Sequence, residues 1–351
     1  MGLFKSSEVV GVDIGTHSIK VVELKLSGTS IHLQSFGLAP VPPQAIVDGA
    51  ILDKGAIVDS LQGLLHEHKI KRKQAAMGLS GHSVIVKKIS LPEMTEAELD
   101  ESIHWEAEQY IPFAIDDVNL DFQIIEGGSS EEGKMDVLLV AAKKDKIDDY
   151  TDLLIQAGLQ PAVVDLDSFA LQNSWEINYE AVPGRNVALV NIGAGFTNIS
   201  VLRNGMTSFT RDISIGGNFY TDAIQKEFGL SAEQSERIKI GEEGGPDPEA
   251  VRRVMDGVSE NIAVEIQRSF DFFRATTSEQ GIHQILLSGG SSRVRQLDTF
   301  LGQRLRVEVE VNNPFQNLKV NPKKFDPEYL KEHAAAAAVA VGLALRKAGD
   351  R

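Results

Sequence analysis

Two short stretches of this chain carry the residues best suited to chemistry. The first reads Val9-Val10-Gly11-Val12-Asp13-Ile14-Gly15-Thr16-His17-Ser18-Ile19-Lys20-Val21-Val22-Glu23. The second, over residues 187–202, contains Val190-Asn191-Ile192-Gly193-Ala194-Gly195-Phe196-Thr197 between apolar flanks. Each is an apolar strand ending in an acid or amide, a glycine turn, a hydroxyl residue and a second apolar strand. Glycine lets backbone N–H groups approach a phosphate closely, and Lys20 adds a positive charge. Asp13 suits Mg²⁺, through water, because that ion keeps much of its hydration shell. One copy alone reads more readily as an ordinary hairpin with an Asp. Two copies in equivalent places reverse that reading, and predict two turns gripping one polyphosphate from opposite sides.

A third element follows the buried stretch Ile285-Leu286-Leu287, where the chain runs into Ser288-Gly289-Gly290-Ser291-Ser292. A Gly-Gly leaving a strand suits close approach of an adenine or ribose to the backbone. Gly217 opens a further helix, and Glu236 and Lys239 lie three apart on the face of the next one. That pair is in reach of a ribose and base, or is a surface ion pair. His17 lies in the first turn, where its backbone is the useful part; His66 and His68 face differently on a helix and read as solvated.

The elements that must position these residues are legible from periodicity. After the first hairpin comes a strand over 31–36, and a helix over 54–68 with Ile57, Leu61, Leu64 and Leu65 on one face. Residues 75–89 read as two strands broken at Gly81. Thr95-Glu96-Ala97-Glu98 is a capping box opening an acidic helix through Tyr110, stopped by Pro112. Strands over 119–126 and 136–142, joined by a polar loop over 127–134, lead into a helix over 145–157 that Gly158 ends. A short strand follows over 163–166. The second half repeats the plan: strand, turn, strand, turn, third strand, then helices over 218–228, 231–240 and 249–274. A helix starts near Val294, a strand covers 307–311, and an alanine-rich helix covers 334–345. This repetition predicts duplicated α/β lobes.

Composition narrows the class. The chain has 351 residues, enough for two or more domains, with 42% apolar content. Its net charge of −15 argues against a nucleic-acid scaffold, which needs clustered Lys and Arg. Lys69-Ile70-Lys71-Arg72-Lys73 reads as a solvated helix end. With no cysteine, disulfides, thiolate nucleophiles and Cys-ligated metals are excluded. No apolar run reaches the ~20 residues of a membrane span. The start, Met1-Gly2-Leu3-Phe4-Lys5-Ser6, lacks the apolar core of a signal peptide. It fits the loose myristoylation pattern without a second anchoring signal. The expectation is a cytosolic protein.

With these elements in this order the chain resembles the actin-like ATPase superfamily. Its phosphate-1, connect-1, phosphate-2, adenosine and connect-2 segments match residues 11–20, 165–170, 189–197, 286–292 and 334–345. Met1-Gly2-Leu3-Phe4-Lys5, Gln109-Tyr110-Ile111-Pro112-Phe113, Val163-Val164-Asp165 and Asn313-Pro314-Phe315 narrow the resemblance to the PilM family of type IV pilus assembly. The fold so implied is α/β: a duplicated actin-like, ribonuclease H-like two-lobed fold with an inserted α/β subdomain in the first lobe. Residues 1–82 and 157–183 would form the first core, with 333–348 packing back on it. The insert would cover 83–156, the second core 184–216 and 281–332, and a further subdomain 217–280.

The resemblance also implies ATP and Mg²⁺ as ligands. The site residues would be Asp13 (with the metal), Gly15, Thr16, His17, Ser18 and Lys20 in the first turn. They would include Gly193, Ala194, Gly195, Phe196 and Thr197 in the second, with Gly217, Glu236, Lys239, Gly289, Gly290 and Ser291. The implied partner is the N-terminal cytoplasmic peptide of the inner-membrane protein PilN, in a groove between first lobe and insert. Contacts with pilus assembly motor ATPases and self-association are further implications. The protein would then be cytoplasmic, peripheral at the inner membrane through its partner, with no nucleic-acid role and no membrane insertion of its own. Asp167 matches the connect-1 acid that would position a hydrolytic water; it reads equally as a helix cap for Ser168. Where many relatives begin the second turn with Asp, this chain has Asn191, which hydrogen-bonds but carries no charge. Nucleotide binding with slow or absent hydrolysis is therefore expected. The alternatives are a division tether like FtsA, against which the tail 344–351 lacks apolar residues for membrane insertion, and a small-molecule kinase, for which no convincing general base is evident.

Overall fold

The computed structural model describes residues 7–125, 133–277 and 281–350. The Met1–Ser6 stretch and most of the 127–134 loop lie outside the described residues. Strands β1 (Val10–Ile14) and β2 (Ser18–Ser27) form the first hairpin, and β3 (Ser30–Pro40) pairs antiparallel with β2. A small hairpin follows, β4 (Ile46–Val47) and β5 (Ala50–Ile51). Its two turn residues, Asp48 and Gly49, both have positive φ, 49° and 79°, as a tight two-residue hairpin turn requires. Helix α1 (Lys54–Glu67) starts at Asp53, whose carboxylate accepts the Ala56 N–H, and buries Ile57, Leu61, Leu64 and Leu65 as their spacing predicts. Strand β6 (Gln74–Leu79) then lies parallel to β1.

The insert begins with β7 (Val84–Pro92). Thr95 and Glu98 form the expected capping box on α2 (Glu96–Ala107), and β8 (Val118–Ile125) and β9 (Lys134–Lys143) complete an antiparallel sheet with β9 in the middle. Leu99 and Ile103 of α2 are buried against this sheet, while Trp105 is 75% exposed on the opposite face. Helix α3 (Lys144–Gln156) departs from the expected boundary. Its Tyr150, Leu153 and Leu154 join the first lobe's core with Ile57, Leu61 and Leu79, so the insert's own core ends near Lys143. The amphipathic spacing of α3 needed an apolar partner, and α1 and β10 (Gln160–Leu166) supply it.

Helix α4 (Asp167–Glu176) leads to the second lobe. There β11 (Asn186–Ile192), β12 (Thr197–Arg203) and β13 (Met206–Ile213) repeat the antiparallel start. Helices α5 (Asn218–Phe228), α6 (Ala232–Ile240) and α7 (Pro248–Thr277) follow. Strand β14 (Gln284–Ser288), helix α8 (Leu297–Leu305), strand β15 (Glu308–Val311) and helices α9 (Pro327–His333) and α10 (Ala338–Ala344) complete the chain. Two sequence boundaries shift. A 3₁₀ turn occupies 290–293 and α8 starts only after Gln296, whose φ of 59° breaks the helix. The alanine-rich segment is likewise a 3₁₀ turn over 335–337 before α10.

The duplication is explicit in the strand orders, β3-β2-β1-β6-β10 and β13-β12-β11-β14-β15. In both, three antiparallel strands continue into two parallel ones. Between the lobes α4 and α10 meet almost backbone to backbone. A Cβ on Gly342 would fall 1.7 Å from the Ala170 carbonyl oxygen, and one on Gly11 would fall 2.1 Å from that of Ala340. Small residues are therefore a steric requirement here as well as good helix formers. The tail returns to the first lobe: Arg346 pairs with Asp165 at 3.0 Å, and the Ala348 N–H donates to the Ser7 carbonyl.

Candidate functional site

The two glycine turns face one another across a single cleft. In the first, the Gly15 N–H donates to the Ser18 carbonyl at 3.1 Å, and strand register sets Asp13 opposite Lys20. Their side chains close an ion pair at 3.1 Å. In the second, the Gly193 N–H donates to the Phe196 carbonyl at 2.9 Å, and register sets Asn191 opposite Asn198. There the Asn191 Nδ2 donates to the Asn198 Oδ1 at 2.8 Å. The tips touch: a Cβ on Gly195 would lie 3.0 Å from the Thr16 Oγ1.

The cleft is lined by Asp13, Gly15, Thr16, His17, Ser18 and Lys20 from the first turn, and by Asn191, Gly193, Ala194, Gly195 and Phe196 from the second. Asp167, Glu236, Lys239, Gly289, Gly290 and Ser291 complete the set of expected residues found there. At about 240 Å³ the cavity sits just below the ~300–1,000 Å³ of small-molecule pockets, because the turn tips meet across it.

Two expected residues stand behind the wall. Thr197 is fully buried and its hydroxyl donates to the Ile215 carbonyl at 2.7 Å, so it holds β12 against the segment entering α5. Gly217 supports the lining: a Cβ there would fall 2.3 Å from the Ser291 Oγ and 3.3 Å from the Lys239 Nζ. Ser291 in turn donates to the Gly193 carbonyl at 2.9 Å, joining the Gly-Gly element to the second turn. Gly289, with φ of 92°, lets β14 press on β11, where a Cβ would meet the Ile192 carbonyl oxygen at 2.3 Å. Gly290 differs, because a Cβ there would stand in open space at the cleft.

Lys239 and Glu236 pair at 2.6 Å, and the Thr221 hydroxyl donates to the same carboxylate. Only 5% of Lys239 is exposed, so this is no surface ion pair. Burial alone would raise the Glu236 carboxyl, yet Lys239 and Thr221 bring it below its usual range. Burial lowers Lys239 despite Glu236's opposing charge.

Asp167 is the first residue of α4, one position past the N-cap Leu166, so it does not hold the N-cap position. It packs on β6, where a Cβ on Gly78 would fall 2.2 Å from its Oδ1. Burial, then the nearby Asp13 charge, pushes its pKa up to about 7, against a hydrogen bond from Ser80. Part of its surface stays open to the cleft. His17 is lowered by burial, with Glu236 opposing and Lys239 and Lys20 assisting. Its ring therefore feels charges from both lobes.

Sequence reasoning missed a connection leaving the second turn. The Asn198 Nδ2 donates to the Asp212 Oδ1 at 2.8 Å, and the Asp212 Oδ2 accepts the Gly81 N–H of the first lobe at 2.6 Å. His82 and Ser214 share a hydrogen bond beside it at 2.7 Å. The available signal was the equal spacing of Asp13–Lys20 and Asn191–Asn198. Lys146, Tyr150 and His333 also line the cleft, brought there by helices with no motif of their own, and Arg293 lines it from the end of the turn that follows Gly289.

The family model for type IV pilus assembly protein PilM matches residues 11–348. The cell division protein FtsA of Bacillus subtilis is 24% identical over 253 residues, 66% of this chain and 57% of that protein. FtsA of Streptococcus pneumoniae is 22% identical over 285 residues, 74% and 62% of the two chains. The matches thus span about three fifths of these relatives' length. Among solved structures, a PilM-PilN type IV pilus biogenesis complex superposes with a TM-score of 0.85 at 30% identity, covering 97% of this chain and 98% of that one. Ethanolamine utilization protein EutJ from Carboxydothermus hydrogenoformans (TM-score 0.56, 16% identity, 98% and 92% covered) shares the fold. So does MreB5 of Spiroplasma citri bound to AMPPNP (0.52, 12%, 96% and 95%). With a duplicated actin-like fold, and a family match from the first turn to the tail, this chain belongs to the type IV pilus assembly protein PilM family.

Proposed function

We propose that this protein is a nucleotide-dependent scaffold of type IV pilus assembly, binding ATP in the cleft between its lobes and an N-terminal cytoplasmic peptide of PilN at its insert. The observation that carries the assembly role is the near-complete superposition on the PilM of a PilM-PilN complex. The nucleotide reading rests on the convergence of both glycine turns, Gly290 and the Glu236–Lys239 pair on one cleft.

The lining fits a nucleotide chemically. Lys20 and Lys239 supply positive charge, the glycine turns leave room for close approach, and the open space at Gly290 would accept an adenosine. Mg²⁺ would neutralise the phosphates, held near Asp13 through water. Because the turn tips touch, a triphosphate would part the lobes, and its differential affinity for the open and closed arrangements would bias a partner site elsewhere. Asn191 adds no charge at the second turn, so hydrolysis is slow. The peptide groove would lie where first lobe and insert meet, and a second cavity of about 390 Å³ supports that place. Its lining joins Ser80–His82 and Leu166 of the first lobe, Val84–Val86, Pro112 and Phe113 of the insert, and Thr210, Arg211 and Asp212 of the second lobe.

Among the described residues no helix is long and apolar enough to cross a membrane. On the reading that PilN is its partner, the protein would sit at the cytoplasmic face of the inner membrane through that partner. Motor ATPase contacts and self-association belong to the same reading. The decisive test is calorimetric titration with ATP–Mg²⁺, then with the PilN N-terminal peptide, with and without Asp13→Ala. The reading expects saturable binding of both ligands, loss of ATP binding in the variant, and survival of peptide binding. Steady phosphate release at roughly 1 per second or faster would overturn the slow-hydrolysis part.

A further inference from the structure

Lys146 stands in the cleft but belongs to none of its sequence motifs. It projects from the first turn of α3, immediately after β9, the central strand of the insert. Its ammonium lies 4.3 Å over the Tyr150 ring and donates to the Gly49 carbonyl at the tip of the β4–β5 hairpin. An ammonium has three donors, and among the described residues the contact with Gly49 is the one hydrogen bond of the Lys146 ammonium, with no carboxylate in ion-pair contact. Lys146 is half-buried and lines the cleft together with Asp167; burial lowers its pKa, opposed by Asp149, Asp167 and Asp145. The second turn reaches the same point. A Cβ on Gly49 would lie 3.4 Å from the Phe196 ring and 3.8 Å from the Lys146 Nζ.

We propose that Lys146 is a phosphate ligand of this cleft. It rests on the Gly49 carbonyl and the Tyr150 face, and turns its remaining donors to phosphate oxygens when a polyphosphate enters. The inference rests on the nucleotide reading and adds the residue that ties it to the insert. Lys20 belongs to the first lobe's core and Lys239 to the helical subdomain of the second lobe, whereas Lys146 sits on the helix continuous with β9. A bound phosphate chain would then fix α3, and with it the base of the insert where the peptide groove is expected.

The test is ATP–Mg²⁺ titration of the full chain and four variants. Lys146→Met keeps an unbranched stem over Tyr150 and removes the charge; Lys146→Arg keeps the charge. Lys54→Met removes the exposed Lys54–Asp149 pair (2.8 Å) that also holds α3. Lys20→Ala reports on the first turn. The expected result is a ten- to a hundredfold loss for Lys146→Met, roughly the loss of one charged hydrogen bond, with Lys146→Arg and Lys54→Met within about threefold of the unaltered protein. Should Lys146→Met prove unfolded by its thermal transition, Lys146→Gln gives the same readout. Unchanged affinity in Lys146→Met together with loss in Lys20→Ala overturns the phosphate role and leaves the nucleotide reading standing. Equal losses in Lys146→Met and Lys54→Met assign the effect to α3 packing and also overturn it. Absence of ATP binding in the unaltered protein is the separate result that removes the nucleotide reading itself, and this proposal with it.

Discussion

The first glycine turn holds Asp13 against Lys20 at the register position where the second holds Asn191 against Asn198. The backbones are copies; the electrostatics are not. Both members of the first pair carry charge and face the cleft. The second pair is neutral, and passes its hydrogen bonding outward through Asp212 to the Gly81 backbone of the opposite lobe. Duplication has thus yielded one turn suited to charge recognition and one suited to linking the lobes. The link ends at Gly81, next to the start of the insert, so the second turn is wired to the region where a partner would sit.

The comparison breaks most sharply at the charged pair. Lys20→Ala removes a cation from the cleft and leaves Asp13 facing any phosphate, so ATP affinity falls by about a hundredfold. Asn198→Ala removes the amide pair and the hydrogen bond to Asp212 but takes no cation from the cleft, and its loss stays near tenfold or below. Parallel titrations check this, and comparable losses would make the two turns equivalent. A second, smaller effect sharpens the linking role. Asp212 accepts at both oxygens, from Asn198 and from Gly81. Burial raises its pKa, yet two donors at once favour the ionised form. Asp212→Asn sets an NH₂ group against one of those donors and should cost about 1–3 kcal/mol in urea unfolding at neutral pH. Asn191→Ala, which leaves the Asp212–Gly81 contact in place, should cost less.

The fold was legible because the chain writes its plan twice, once in each lobe. Repeated strand–glycine–strand signals at residues 9–23 and 187–202 fix the hairpins, and Thr95, Ser231 and Gly158 mark helix ends by local chemistry that survives in three dimensions. The glycine turns, the Gly-Gly element and the Glu236–Lys239 pair came together for the same reason. What stayed hidden depends on packing between distant segments. Nothing local marks Lys146 as a cleft residue, because α3 is placed by apolar contacts with α1 and β10 and its cation follows passively. Nor does sequence separate Gly217, which supports Ser291 from behind, from Gly290, which faces open space. Thr197 misleads in the same way: a hydroxyl after a glycine turn suits phosphate, but strand alternation points this one inward to Ile215.

The smallest expected effect concerns the acid between the two turns. Asp167 titrates near 7 because burial and the Asp13 charge disfavour its ionised form. A carboxyl raised on folding binds protons that the unfolded chain has released, so its contribution to stability is full below the ordinary carboxylate range and is lost as pH rises through about 7. The same protonation matters for a polyanionic ligand. At pH 6 the side chain is mostly neutral; at pH 8 it adds a negative charge beside Asp13. Across a partly screened cleft that charge should weaken ATP binding by about fivefold. ATP also titrates near neutrality, so the informative quantity is the ratio of dissociation constants between the native chain and Asp167→Asn. That ratio should be near one at pH 6 and rise to about five by pH 8. A ratio that stays flat would place Asp167 outside the field of the phosphates, and would leave Asp13 as the one acid by which the charged turn differs from its neutral copy.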